Sequence, residues 1–194
     1  MKVGDIELFF HLCGVICIFL GFGTLLLATV ALARASRVEQ VRAIMTPLMA
    51  GRRVGPEQIS LIDVIVVFGV LLIVSTGIAM ARANNSVWSS WVEIATASFI
   101  LLAPVGPFVI NLRLHAIAEE AKREADGPLP ASLRDRINDP VLVFAMRSSV
   151  AVLIGLVFLM TTKPTLVASV VVILAAVVIG AASSLQFRKA GRSG

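Results

Sequence analysis

Two histidines, two cysteines and a few charges stranded in apolar sequence are the residues of this chain with evident chemistry. His11 follows Glu7 by four residues, Asp63 and Arg147 stand inside other apolar runs, Met160 and Lys163 close one, and Glu93 opens another. An imidazole ligates iron or a metal ion, or moves a proton, near neutral pH. A thioether is a soft ligand. An ionised group inside hydrocarbon is costly, so each one needs a partner or a purpose. Cys13 and Cys17 share a helical face, but their sulfurs point too far apart for an unstrained disulfide, and they read as small apolar packing groups.

The elements that must position these residues follow from charge and hydropathy. The 194-residue chain is 58% hydrophobic and 15% charged, and its mean hydropathy is +0.94. A soluble domain is about 45–50% apolar and about 25% charged, so the chain reads as an integral membrane protein with the lipid bilayer as its solvent. Apolar runs at 8–33, 61–81, 91–114, 141–162 and 166–185 are each long enough to cross a bilayer as a helix. The fold class is all-α, one membrane domain over 1–194, a bundle of five transmembrane helices. Pro104 and Pro107 predict a kink in the third span. Residues 38–49 predict an amphipathic helix between the first two spans. The net charge of +5 does not point to nucleic acid, because the basic residues flank the apolar runs.

Most of the 17 basic residues fall in three stretches. Arg34, Arg37, Arg42, Arg52 and Arg53 follow the first span. Arg113, Lys122, Arg123, Arg134 and Arg136 follow the third, and Arg188, Lys189 and Arg192 follow the fifth. Under the positive-inside rule this places the N-terminus outside and the C-terminus in the cytoplasm. The topology then acts as a ruler at about 1.5 Å per helical residue. His11, Glu93, Met160 and Lys163 fall at the outer level, and His115 falls a membrane thickness away, so the two histidines cannot share one iron in a monomer. Asp63 and Arg147 both fall near the cytoplasmic side and predict a helix-locking ion pair.

Three readings of His11 stand open from the residues alone: a haem axial ligand, with Met160 or no protein ligand opposite; a metal or proton-relay group; or an interfacial histidine bonded to Glu7 or to headgroups. Gly14, Gly21 and Ala28 lie on its helical face, and small residues at that spacing let a neighbouring helix come close. Phosphate loops, dinucleotide fingerprints, haem-attachment and zinc-helix motifs are absent.

Several motifs are familiar in combination. They are His11-Leu12-Cys13-Gly14, Thr76-Gly77-Ile78-Ala79-Met80, the segment from Arg113 to Ala121, Gly127-Pro128-Leu129-Pro130, and Phe158-Leu159-Met160-Thr161-Thr162-Lys163-Pro164. In this order, over residues 8–164, they resemble an uncharacterised bacterial family of integral membrane proteins, itself distantly similar to the copper-resistance protein CopD and to HemJ-type protoporphyrinogen oxidase. The HemJ resemblance implies a haem b site with His11 as its functional histidine and Lys163 as the lysine before the proline. Phe19-Leu20-Gly21-Phe22-Gly23-Thr24 departs from the Trp-x-Ala-Gly pattern of that family, which argues against porphyrinogen oxidation. The expectation is a bacterial inner-membrane protein with a haem-b or redox site on His11, Met160 and Lys163. The alternatives are an accessory subunit that docks through Ala176, Gly180 and Ser184 of the fifth helix, as a homo-oligomer or in a larger complex, and a small-solute or copper permease.

Overall fold

The computed structural model describes residues 3–54, 57–83 and 89–190, and for residues 3, 52–54, 57–59 and 186–190 it describes the backbone alone. Lys2, Asn84, Asn85, Trp88 and Arg192 lie outside the described residues. Among those described, five helical segments are long and apolar enough to cross a membrane, as expected.

The first span is α1 (Val3–Ala33), and α2 (Val38–Leu48) follows it. The Gln40 side chain caps the start of α2 by accepting from the Ser36 backbone N–H at 2.9 Å. An antiparallel hairpin, β1 (Gly51–Val54) and β2 (Glu57–Ser60), pairs Gly51 with Ser60. The Gly55-Pro56 dipeptide between the two strands is an ordinary turn signal.

The second span is α3 (Leu61–Ala83). The third is composite: α4 (Ser90–Leu102), a π-helical turn (Val105–Asn111) and α5 (Leu112–Arg123). The prolines give this wider turn where a simple kink was expected. With no N–H at Pro104 or Pro107, the regular i→i−4 ladder is interrupted and the chain takes looser spacing. A short helix, α6 (Ala131–Ile137), leads into the fourth span α7 (Pro140–Thr162), and α8 (Leu166–Ala190) is the fifth.

Fully buried side chains occur both in the spans (Ile18, Ile110, Leu142, Met146, Leu159) and in the segments α2, α5 and α6 that join them. Val41, Leu114, Ala121 and Leu133 are fully buried, and Ile117 and Met45 nearly so. The apolar face of α2 packs on α5, with α6 beside it, and this unit caps one end of the bundle. Backbone bonds from Val38 N–H to the Gly127 carbonyl (3.1 Å) and from Leu129 N–H to the Ser36 carbonyl (3.0 Å) tie its two halves together. Its basic residues are used internally: Arg42 pairs with Asp126, Arg136 with Glu120, and Lys122 with Glu119 at 2.7 Å. Asp139 joins cap to membrane, capping α7 through the Val141 N–H (2.8 Å) and accepting from Arg113 (2.7 Å).

Within the membrane, α3 packs on α1, α7 packs on α8 and α1, and α4 packs on α7 and α8. Glycines set both close pairs. A methyl group on Gly14 would stand 2.9 Å from the Gly69 carbonyl oxygen, and one on Gly69 2.9 Å from that of Gly14. A methyl on Gly180 of α8 would stand 2.5 Å from the Ser148 Cα of α7. Ala176 and Ser184 are buried with Gly180, so α7 of the same chain covers the face expected to dock a partner. Small residues allow backbone approach wherever a helix is available, and the adjoining helix supplies it.

Candidate functional site

His11 sits on the face of α1 that meets α3, and only 8% of it is exposed. Its Nδ1 is 3.0 Å from the Thr76 Oγ1 of α3. The Thr76 hydroxyl donates its single proton to the Leu72 carbonyl one turn back. The two side chains are hydrogen-bonded, with the direction set by the imidazole tautomer, and the backbone of Ile73 is a further hydrogen-bond partner of the ring. Gly77 packs against the ring, and a methyl there would meet Cε1 at 3.5 Å, an ordinary contact distance. Glu7 was the expected orienting partner, and Thr76 holds that role in the fold. Thr76-Gly77 at the end of α3 is the signal that could have found it: a hydroxyl beside a space in an otherwise aliphatic run.

One turn further into the membrane on the same face of α1 begins an apolar groove. Val15, Ile18 and Phe19 of α1 line it with Ile73 of α3, Phe99 of α4, and Leu153, Leu156, Val157 and Met160 of α7. The recess itself is about 20 Å³ and widens to about 300 Å³ counted out through its open side. No polar side chain lines it among the described residues. Chain direction puts His11 and Met160 both at the end of the groove away from the cap.

The other two residues expected at this level sit apart from the groove lining. Lys163 ends α7 in the left-handed conformation (φ 49°), and its Nζ lies 5.9 Å from the centre of the Trp91 ring of α4. That geometry is a cation–π contact at the bundle rim. Glu93 is exposed on the first turn of α4. His115 is half-buried on α5 in the cap, at the opposite end from His11. Cys13 and Cys17 are free thiols, and among the described residues no three His, Cys, Asp or Glu side chains gather as a metal site.

Asp63 and Arg147 have separate partners. Asp63 Oδ2 accepts from the Ser60 N–H (2.9 Å) and hydroxyl (2.7 Å), while Ser60 Oγ accepts from the Asp63 N–H (3.2 Å). This reciprocal pair is a capping box at the start of α3. Oδ1 accepts from Asn111 Nδ2 at 3.0 Å, tying α3 to the π-helical turn. Arg147 donates to the Ser183 carbonyl of α8 at 3.1 Å. The expected ion pair is corrected for a simple reason: α3 packs on α1 and α7 packs on α8, so the two charges face different neighbours. Ser60-x-x-Asp63 was the legible signal for the cap.

The fold and the apolar bundle define a multi-pass helical membrane protein. Residues 8–164 match the family model described as predicted integral membrane protein (DUF2269), and the chain belongs to that family. No curated protein and no solved structure matches it. The match ends just before α8.

Proposed function

We propose that the protein is a haem-b-binding, redox-active membrane protein in which His11 Nε2 is the axial ligand. The observation that carries this reading is the buried imidazole held through its Nδ1 by a hydroxyl of the neighbouring helix. Axial and metal-ligating histidines are held by a hydrogen bond from the other ring nitrogen, which fixes the ring and leaves the ligating lone pair directed. Thr76 supplies that bond here. The apolar groove walls and Met160 at the same end suit a flat, largely hydrophobic group. The recess, about 20 Å³, is far smaller than the roughly 300–1,000 Å³ of ordinary ligand pockets, so the helices would have to part to hold a macrocycle beside His11. Bound haem supplies one-electron chemistry at iron. In this chain His11 holds, Thr76 orients, and the aliphatic lining keeps water away. Lys163, at the rim, is the cation available to carboxylates there.

The same reading takes the cap as cytoplasmic in a bacterial inner membrane, because ten of the basic residues named above belong to segments on the cap side. The resemblance to HemJ-type proteins agrees with the choice of His11. The accessory-subunit reading loses the surface it relied on, since α7 covers the small face of α8. The test is an absorption spectrum of protein purified in mild detergent from haem-replete cells. A Soret band that disappears in His11→Ala supports the reading, and a colourless preparation overturns it.

A further inference from the structure

Arg42, Arg113 and Arg136 are each met by a carboxylate, from Asp126, Asp139 and Glu120. Arg147 is placed differently. It lies within the fourth span, about 10 Å along α7 from Pro140, and it is only half-buried. Its Nη1 donates to the Ser183 carbonyl of α8 at 3.1 Å. A carbonyl is a neutral acceptor, so this bond positions the guanidinium without offsetting its charge.

The packing of the two helices gives its depth. α7 leaves the cap and α8 returns to it, and they touch where a methyl on Gly180 would stand 2.5 Å from the Ser148 Cα. Ser183 follows Gly180 on the way back to the cap, about 4.5 Å further along the helix. The Arg147 side chain therefore reaches toward the cap, as long basic side chains do when their backbone lies in hydrocarbon. The apolar stretch of α8 ends at Leu185, just beyond Ser183. The guanidinium thus stands at the boundary between acyl chains and headgroups. α8 continues to Ala190, and Arg188 and Lys189 follow that boundary within about one turn.

From this placement we infer that the cap-side end of the α7–α8 pair binds the phosphate of an anionic phospholipid. Arg147 is the contact, and Arg188 and Lys189 are the charges that draw the headgroup in. The inference is independent of the haem reading. A planar guanidinium carries five N–H donors and grips a phosphate with two parallel bonds, so it can hold the Ser183 carbonyl and a lipid together. The Ser183 bond also orders the side chain in advance, which lowers the entropy lost on binding. Basic residues between and just beyond membrane helices on one leaflet recognise anionic headgroups. Depth favours a lipid over a dissolved anion. The phosphate of a phospholipid already lies at this level, whereas a free phosphate must leave water to reach it.

The test is lipid binding to the delipidated protein by native mass spectrometry, with phosphatidylglycerol set against phosphatidylcholine of the same chains. Wild type should bind phosphatidylglycerol about fivefold more tightly, the factor expected from one basic residue near an anionic surface. Arg147→Gln keeps a donor for Ser183 but removes the charge, and it should lose that preference. Arg147→Lys should keep part of it, and Arg134→Gln, on the exposed side of α6, should keep all of it. A wild type without headgroup preference overturns the inference, whatever the variants do. So does a preference retained in Arg147→Gln, or one lost equally in Arg134→Gln, which would trace it to net charge alone. Thermal unfolding with inorganic phosphate separates the two sources of the anion. Stabilisation as large as that by phosphatidylglycerol would make the ligand a dissolved ion and overturn the lipid assignment.

Discussion

At the scale of single residues, position within the bundle decides what each polar group does. His11 and His115 are the same residue type, but one is packed in the membrane against a threonine and the other is half-buried in a helical cap. The Thr76 hydroxyl bonds the imidazole, so under the haem proposal Thr76→Val should weaken haemin affinity about 10–100-fold, in the range for lost orienting bonds. Haemin titration of the two proteins measures this, and equal affinities would remove Thr76 from the site. Asp63 and Arg147 give a second test. Removing the capping box with Asp63→Ala should cost about 1 kcal/mol. Because Arg147 answers to Ser183 and not to Asp63, the double variant with Arg147→Met should be additive within about 0.5 kcal/mol. A larger coupling energy in thermal unfolding would restore the ion pair.

At the scale of elements, glycines choose the neighbours. Gly180 lies against the Ser148 backbone, so Gly180→Leu forces α8 away from α7 and should destabilise by about 1–3 kcal/mol. Gly23 meets nothing within 4 Å, and Gly23→Ala is the matched change expected to leave the melting temperature in place. If Gly180→Leu melts like the wild type, α8 is not held through this contact. The π-helical turn is the other decisive element. It absorbs Pro104 and Pro107, and through Asn111 it fastens the third span to the Asp63 carboxylate.

At the scale of the whole molecule, the apolar residues of the cap continue the single hydrophobic core of the helical bundle. The rim of the cap carries exposed ion pairs, and the Arg37 side chain bonded to Glu39 holds that carboxyl below its ordinary value of 4.5. A depressed carboxylate contributes stability above its unfolded value and loses it as pH falls through the lower folded value. Acid below about pH 4.5 should therefore loosen the start of α2, and Glu39→Gln should remove that part of the pH dependence. Hydrogen exchange at the α2 amides, measured against pH, reads it directly. A profile unchanged by Glu39→Gln would show that the pair plays no part.

The sequence by itself determined the number of spans, the break at Pro104–Pro107 and the amphipathic helix between the first two spans. These features follow from hydropathy, charge and missing backbone donors, which act locally along the chain. It also singled out His11 as the polar residue on a small-residue face. The tertiary structure alone decided that Thr76 bonds the ring, that Asp63 caps its own helix, and that the α8 face is covered by α7. Each of those depends on which helix lies beside which. In a membrane the apolar surfaces of helices are nearly interchangeable, so neighbours are selected by a few close glycine contacts and paired polar groups, which have no periodic signature in sequence.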